Sequence, residues 1–586
     1  MKIKNLKTNR ITNPVGFNLD KVMLSFVTCN TLSTKQIAAE IEVALDKEFK
    51  EVIFNSGKRE DIDSLGYELK IDLQPQTTYY WKVSVWGDKG DFATSEVAYF
   101  ETGKMNNPWE GRWITPNIDK DIHPVIFKEF KLDKKVKRAR AYVCGLGLYE
   151  MNLNTQKVGE EYLSPNCTAY DKFLQYQTYD ISNQLEYGLN KIEVILGNGW
   201  YKGRFGFHGG ESEIFGDKFA LLCDIVVEFE DGSTTIIKSD ETWKCKESKI
   251  KFSGIYDGEV YDASFETNEE YKVSIIDLPY NKIRERLSLP VVVKEEVKPV
   301  EIITTPLGET VLDMGQNMVG WLQFKTNAPK GQEIRLKFGE LLQEGNFYRG
   351  NLGTAKQEFK YIANGKETIV RPHFTYYGFR YVKVEGWIGE VKAEDFVGQV
   401  LYSDMETTGH IETSNYLVNR LFLNAMWGQK GNFLDVPTDC PQRDERMGWT
   451  GDAQVFCQTA SFNMDTYAFF TKYTNDIYQE QICRNGEVPT VVPVISAEDG
   501  TSSAWGDAAT IIPWNIYVHY GDKTILEKQF DSMKAWVDYI RKEDENSGGN
   551  RLWDSGFHFG DWLAQDGEDA NAPTGGTEEL FIASAY

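Results

Sequence analysis

Apolar side chains along residues 1–403 recur in short bursts that alternate with polar ones, whereas beyond residue 404 they recur at steps of three and four. Alternation is the mark of strands with one buried face, and steps of three and four are the mark of amphipathic helices. The chain therefore reads as a β-rich front and a helical back. In the front, Ile192, Val194 and Leu196 alternate in KIEVILGN, and CDIVVEFEDGST carries a strand into an Asp231-Gly232 turn. VLDMGQNMVGWLQF, QEIRLKFGE and YYGFRYVKVEG are strand-length runs punctuated by glycine. In the back, Ser414 is placed to cap a helix with Leu417, Leu421 and Ala425 on one side. Leu526, Phe530, Met533, Val537 and Ile540 define one buried stripe on a second helix, with Trp536 beside it in the core. A third long helix is predicted from near Asp452 through NMDTYAFFTKYTNDIY.

The chain has 586 residues, 41% of them hydrophobic and 13% aromatic, enough for several cored domains. We divide it at 1–104, 105–292, 293–403 and 404–586. Within the first segment, Leu73, Pro75, Tyr79, Trp81 and Val83, closing in Phe100-Glu101-Thr102-Gly103, resemble a fibronectin type III module, a spacer or support. A formal net charge of −24 opposes nucleic-acid or anionic-membrane partners. No run reaches the roughly 18 apolar residues of a membrane span. The N-terminal MKIKNLKTNRITNP has charge but no apolar stretch behind it, so we expect a cytoplasmic protein without a signal peptide. The eight scattered cysteines, with no CxxC pair, read as reduced thiols, Cys440 among them as a structural residue. His373, His519 and His558 stand apart from ligand-spaced partners, so ordinary hydrogen-bonded roles and no metal are expected. The loop GNGWYKGRFGFHGG either faces a sugar or simply packs.

The densest chemistry lies at 435–454, DVPTDCPQRDERMGWTGDAQ. Pro437, Pro441, Gly448 and Gly451 break regular structure there, so it reads as an irregular loop leading into a helix. It sets Asp435, Asp439, Asp444, Glu445 and Asp452 beside Arg443, Arg446 and Trp449. Carboxylates, arginines and an indole suit a pocket that binds a polyol and protonates it; an ion-pair cluster that merely shapes the loop is the plainer alternative. Trp449, Trp505 and Trp562 stand next to glycine and aspartate, where a flat ring can stack on a pyranose.

This loop resembles the signature of glycoside hydrolase family 78, the inverting α-L-rhamnosidases. CGLGLYEMNLN, LDMGQNMVGW, HFTYYGFRYVKVEG, WGDAATIIPW and FGDWLA extend the resemblance over essentially the whole chain. It implies a β-sandwich at 105–292, with a carbohydrate-binding role open to it, a second sandwich at 293–403 before the catalytic domain, and the first part of an (α/α)6 barrel at 404–586. By that resemblance Glu445 is the general acid. Asp439 and Asp452 hold rhamnose hydroxyls, Trp449, Trp505 and Trp562 wall the subsite, and Arg443, Asp444, Asp507 and Asp561 are further contacts. The implied chemistry needs no metal or organic cofactor, and no calcium ligand set is legible in 105–292. The partner is a rhamnose-containing glycoside or oligosaccharide, with homodimer formation left open. The family's general base, about 6.5–9.5 Å from the acid in inverting enzymes, has no match here and is expected beyond Tyr586, so the chain reads as an N-terminal fragment that is itself inactive. The alternatives are a related (α/α)6 glycosidase for another sugar and a non-catalytic carbohydrate-binding fragment.

Overall fold

The computed structural model describes residues 1–496, 499–567 and 573–586. At the front, Lys2–Thr8, Val22–Cys29 and Tyr67–Leu69 form one sheet, and a second is built around Gln36–Ala44, Thr78–Gly87 and Ala98–Thr102. Every other residue of Thr78–Gly87 is buried, which is the alternation read from the sequence. Trp81, Val83 and Val85 meet Leu24, Ile41 and Phe100 in a core of their own.

The next region is a 12-stranded sheet in which Val136–Leu146 pairs antiparallel with Ala220–Phe229. Ile192, Val194 and Leu196 point into its core as expected. Asp231-Gly232 closes the hairpin, with Gly232 at φ +80°. A 10-stranded sheet follows, centred on Thr310–Thr326 and Tyr377–Glu385. The division at 292 does not follow this sheet. Ile250–Gly254 and Gly258–Asp262 leave the preceding region, and Gly258–Asp262 pairs in parallel with Glu358–Ile362. The front sandwich therefore reaches into the next one, and both end up beside the helical part.

The helical part holds Tyr416–Asn432, Thr450–Asn463, Tyr467–Ile482, Ala508–Tyr520 and Thr524–Ser547. Four expectations need correction. Asn415, not Ser414, caps the first helix, its side chain accepting from the Leu417 N–H at 2.9 Å. Leu417 and Leu421 of that helix are 72% and 68% exposed, because Met426, Gln429 and Gly431 make its buried face. The predicted single helix after Asp452 is two, broken where Met464 bridges Thr407 and Asp465 N–H donates to Glu406 O at 2.9 Å. On Thr524–Ser547 the buried face is Ile525, Gln529, Ser532 and Trp536; Phe530 and Val537 face solvent. Polar Ser532 goes inward because Gln481 of Tyr467–Ile482 accepts its hydroxyl proton. Trp536 is core, as read. Among the described residues no helix is long and apolar enough to cross a membrane, and no disulfide forms.

Candidate active site

The 435–449 segment is irregular and ends as Trp449 enters Thr450–Asn463. Its backbone is held from the β side. The Arg446 side chain is wholly buried, at φ +53°, and donates to the carbonyls of Ile255 at 2.9 Å and Tyr376 at 2.8 Å. It also donates to Gln357 Oε1 and to the loop's own Gln442 and Arg443 carbonyls. Five donors in a rigid plane can gather carbonyls from three strands of chain in a way no other side chain can. The Tyr256 hydroxyl donates to Glu445 O at 2.6 Å and accepts from Gly206 N–H at 3.0 Å. From the helical side, Tyr473 donates to Gly448 O at 2.8 Å. Gly448 has no room for a side chain, since a Cβ there would lie 2.2 Å from Val492 O.

On this frame Glu445 is half-buried, with one oxygen accepting from Trp449 Nε1 at 2.8 Å and the other paired with Arg443. The Arg443 side chain is 45% exposed, so that pair sits at a water boundary rather than in a dry interior. Asp439 accepts from Met447 N–H at 2.9 Å. Burial first, then the Glu445 charge, pushes Asp439 up to about 7. Asp452 reaches solvent, yet the concavity around it is crowded with protein, so desolvation and then Glu445 raise it as well. Both line a cavity of about 380 Å³ between Tyr416–Asn432 and Thr450–Asn463. A carboxyl that keeps its proton to near neutral pH beside a second carboxylate is what acid catalysis requires.

Several expected contacts have protein partners instead. Asp444 accepts from the Thr354 hydroxyl at 2.6 Å; burial opposes its ionisation, but that bond and others outweigh it and keep Asp444 below the usual carboxylate range. Asp507 accepts from Trp536 Nε1 at 2.9 Å and Ala504 N–H at 2.7 Å, so both oxygens are taken up in holding the start of Ala508–Tyr520. Trp505 is 8% exposed, its ring on Gly451 and 4.3 Å from Phe559. It supports the wall from behind rather than offering a face. Trp562 is 43% exposed and 5.1 Å from Phe559. The Asp561 carbonyl accepts from Gly575 N–H, which fixes the strand leading into Trp562.

Sequence reasoning missed Phe559, which meets Trp449, Trp505 and Trp562 at once, and Phe207, 5.6 Å from Trp449. It also missed Asp499, pushed up to about 6 by burial. The Gly-rich 203–210 loop does come to the site: with Trp449, Thr490, Ile495, Asp499, Thr501, Phe557 and Phe559 it lines a cavity of about 970 Å³. Its FGF spacing beside glycines was the available signal.

An immunoglobulin-like module, two β-sandwiches and helical hairpins bearing an acidic, indole-walled loop define the architecture of a multidomain six-hairpin glycosidase. Residues 406–586 match the bacterial alpha-L-rhamnosidase 6 hairpin glycosidase domain, 134–304 the alpha-L-rhamnosidase N-terminal domain, 303–402 the concanavalin-like domain and 3–106 the Rha78A-like N-terminal immunoglobulin domain. The chain belongs to the bacterial α-L-rhamnosidases, glycoside hydrolase family 78. The structure of an α-L-rhamnosidase from Aspergillus terreus is 34% identical with a TM-score of 0.93, over 100% of this chain and 70% of that one. One from Streptomyces avermitilis, complexed with L-rhamnose, is 25% identical with a TM-score of 0.90, over 99% and 74%. An α-L-rhamnosidase from Formosa agariphila is 34% identical over 98% of this chain. The chain spans 65% of that relative's length, just under two thirds.

Proposed function

We propose that the protein carrying this chain is an inverting glycoside hydrolase that releases terminal α-L-rhamnose from a glycoside or oligosaccharide. Glu445 protonates the glycosidic oxygen as the bond breaks. The observation that carries this reading is the placement of Glu445 on the clamped loop, one oxygen held by the Trp449 indole, with Asp439 and Asp452 raised beside it. Arg443 pairs with the second Glu445 oxygen at the water boundary of the free site. Asp439 and Asp452 accept sugar hydroxyls, charge-assisted bonds being the stronger kind. Trp449 and Trp562 offer ring faces to the sugar, including the apolar methyl of a 6-deoxy ring, and Asp561 shapes the approach to Trp562.

The test is turnover of an aryl α-L-rhamnoside by the gene product, alongside aryl α-L-arabinoside and glucuronide. Preference for the rhamnoside, lost about 10²–10⁴-fold in Glu445→Gln, is expected. Activity undiminished in that variant would refute the assignment, and preference for another sugar would keep the acid but change the substrate.

A further inference from the structure

The Glu445 carboxyl is held by Trp449 and Arg443, but the backbone that carries it is held from another quarter. The Tyr256 hydroxyl donates to Glu445 O at 2.6 Å, and the Thr354 hydroxyl donates to the preceding Asp444 carboxylate at 2.6 Å. Each hydroxyl has a second partner, and both of these partners lie within residues 204–206. Gly206 N–H donates to the Tyr256 oxygen at 3.0 Å, and Arg204 Nη1 donates to the Thr354 oxygen at 2.7 Å.

The second partners set the direction of the first bonds. A hydroxyl both donates and accepts, whereas a peptide N–H and a guanidinium only donate. Facing such a donor, each hydroxyl turns its own proton the other way, to the acid loop. Neither Tyr256 nor Arg204 is free to move off. Tyr256 is 1% exposed, with the Arg204 and Arg446 guanidiniums 5.2 and 5.7 Å from its ring centre, and Arg204 pairs with Asp257 at 2.9 Å. The backbone they hold is strained, since Arg446, directly after Glu445, sits at φ +53°. A residue with a side chain keeps such a conformation only where its surroundings enforce it.

We propose that Tyr256 and Thr354 are positioning residues for the acid, polarised by residues 204–206 and acting without touching substrate; the assignment rests on Glu445 being the acid of a rhamnoside-cleaving enzyme. Without the Tyr256 hydroxyl the Glu445–Arg446 peptide rotates to relieve its strain, and the carboxyl shifts with it. Asp444 is the handle by which Thr354 holds the loop. A misplaced acid matters only where the departing group needs a proton. Methoxyphenoxide needs one, and dinitrophenoxide leaves almost unaided. In the active gene product, Tyr256→Phe is expected to lower the ratio of kcat/KM for p-methoxyphenyl over dinitrophenyl α-L-rhamnoside by about 10- to 100-fold. Thr354→Val should lower it by about 3- to 10-fold, since the Thr354 N–H also serves Asp444 and stays in place. Loss of folded enzyme scales both substrates alike and leaves the ratio untouched. Glu445→Gln is the reference and should lower it furthest. A ratio that Glu445→Gln lowers but Tyr256→Phe leaves unchanged overturns the positioning alone. If Tyr256→Phe yields no folded protein, Thr354→Val, at an exposed position, decides by the same rule. A ratio that Glu445→Gln itself leaves unmoved sinks the catalytic reading, and the positioning with it.

Discussion

Asp435 and Asp439 lie four residues apart in one loop, yet they belong to two carboxylate clusters with differently placed cations, a buried lysine in one and a half-exposed arginine in the other. Asp435 is 1% exposed and shares Lys472 with Asp476; Lys472 Nζ stands 2.9 Å from the first and 2.8 Å from the second. Cys167 N–H donates to the same Asp435 oxygen at 2.9 Å, and Lys472 donates to Cys167 O at 2.6 Å. That cluster joins the front sandwich, the loop and Tyr467–Ile482 around a fixed cation. Around Asp439, by contrast, Glu445 pairs with Arg443, whose side chain is half in water. A water-facing cation holds its partners weakly, so burial and the Glu445 charge raise Asp439 and Asp452 there; in the first cluster burial raises Asp476 to about 6 even against the pull of Lys472. The same residue types thus build a joint in one place and a reactive hollow in the other.

The comparison can be broken by substitution. Glu445→Gln should cost about 10²–10⁴-fold in kcat while moving the urea midpoint little, since its charged partner Arg443 is half in water; a large loss of stability would make it part of the joint. Lys472→Met should do the reverse, leaving two buried carboxylates without their cation at a cost of about 3–5 kcal/mol in unfolding free energy. Asp439→Asn sharpens the electrostatic half. A carboxyl raised from 3.8 to about 7 binds its proton more tightly in the folded state, so its stabilising share is full below about pH 4, declines as pH rises, and is gone above about 7. The variant should flatten that decline in a series of urea midpoints against pH. The smallest effect is expected for Arg443→Gln, about 0–1 kcal/mol in stability. A cost rivalling that of Lys472→Met would erase the distinction between the clusters.

Much of the architecture was legible because strands advertise themselves by alternation: Thr78–Gly87 and Gly188–Gly197 bury the residues their patterns named. Helix faces were less legible. Leu526, Phe530 and Val537 form the more apolar stripe, but Ser532 faces inward because Gln481 supplies partners that no periodicity reveals. At the site, the break-prone loop and its acidic cluster could be read directly, since proline, glycine and charge act locally. Asp507 could not be separated from Asp439 by composition, as the difference is Trp536 bonding to the one and Glu445 crowding the other. Phe207, Tyr256 and Asp499 come from distant stretches, and only the folded sheets bring them to Trp449 and Glu445.

The clamp on the loop has a practical corollary for anyone trimming the gene. A cut at residue 404 looks natural, yet it would strip Arg446 of the Ile255 and Tyr376 carbonyls and Glu445 of the Tyr256 hydroxyl. The trimmed piece would keep every acidic group and lose the vice that aims them. Grafting a new specificity onto this scaffold therefore means carrying the two preceding modules along as tooling, not as ornament.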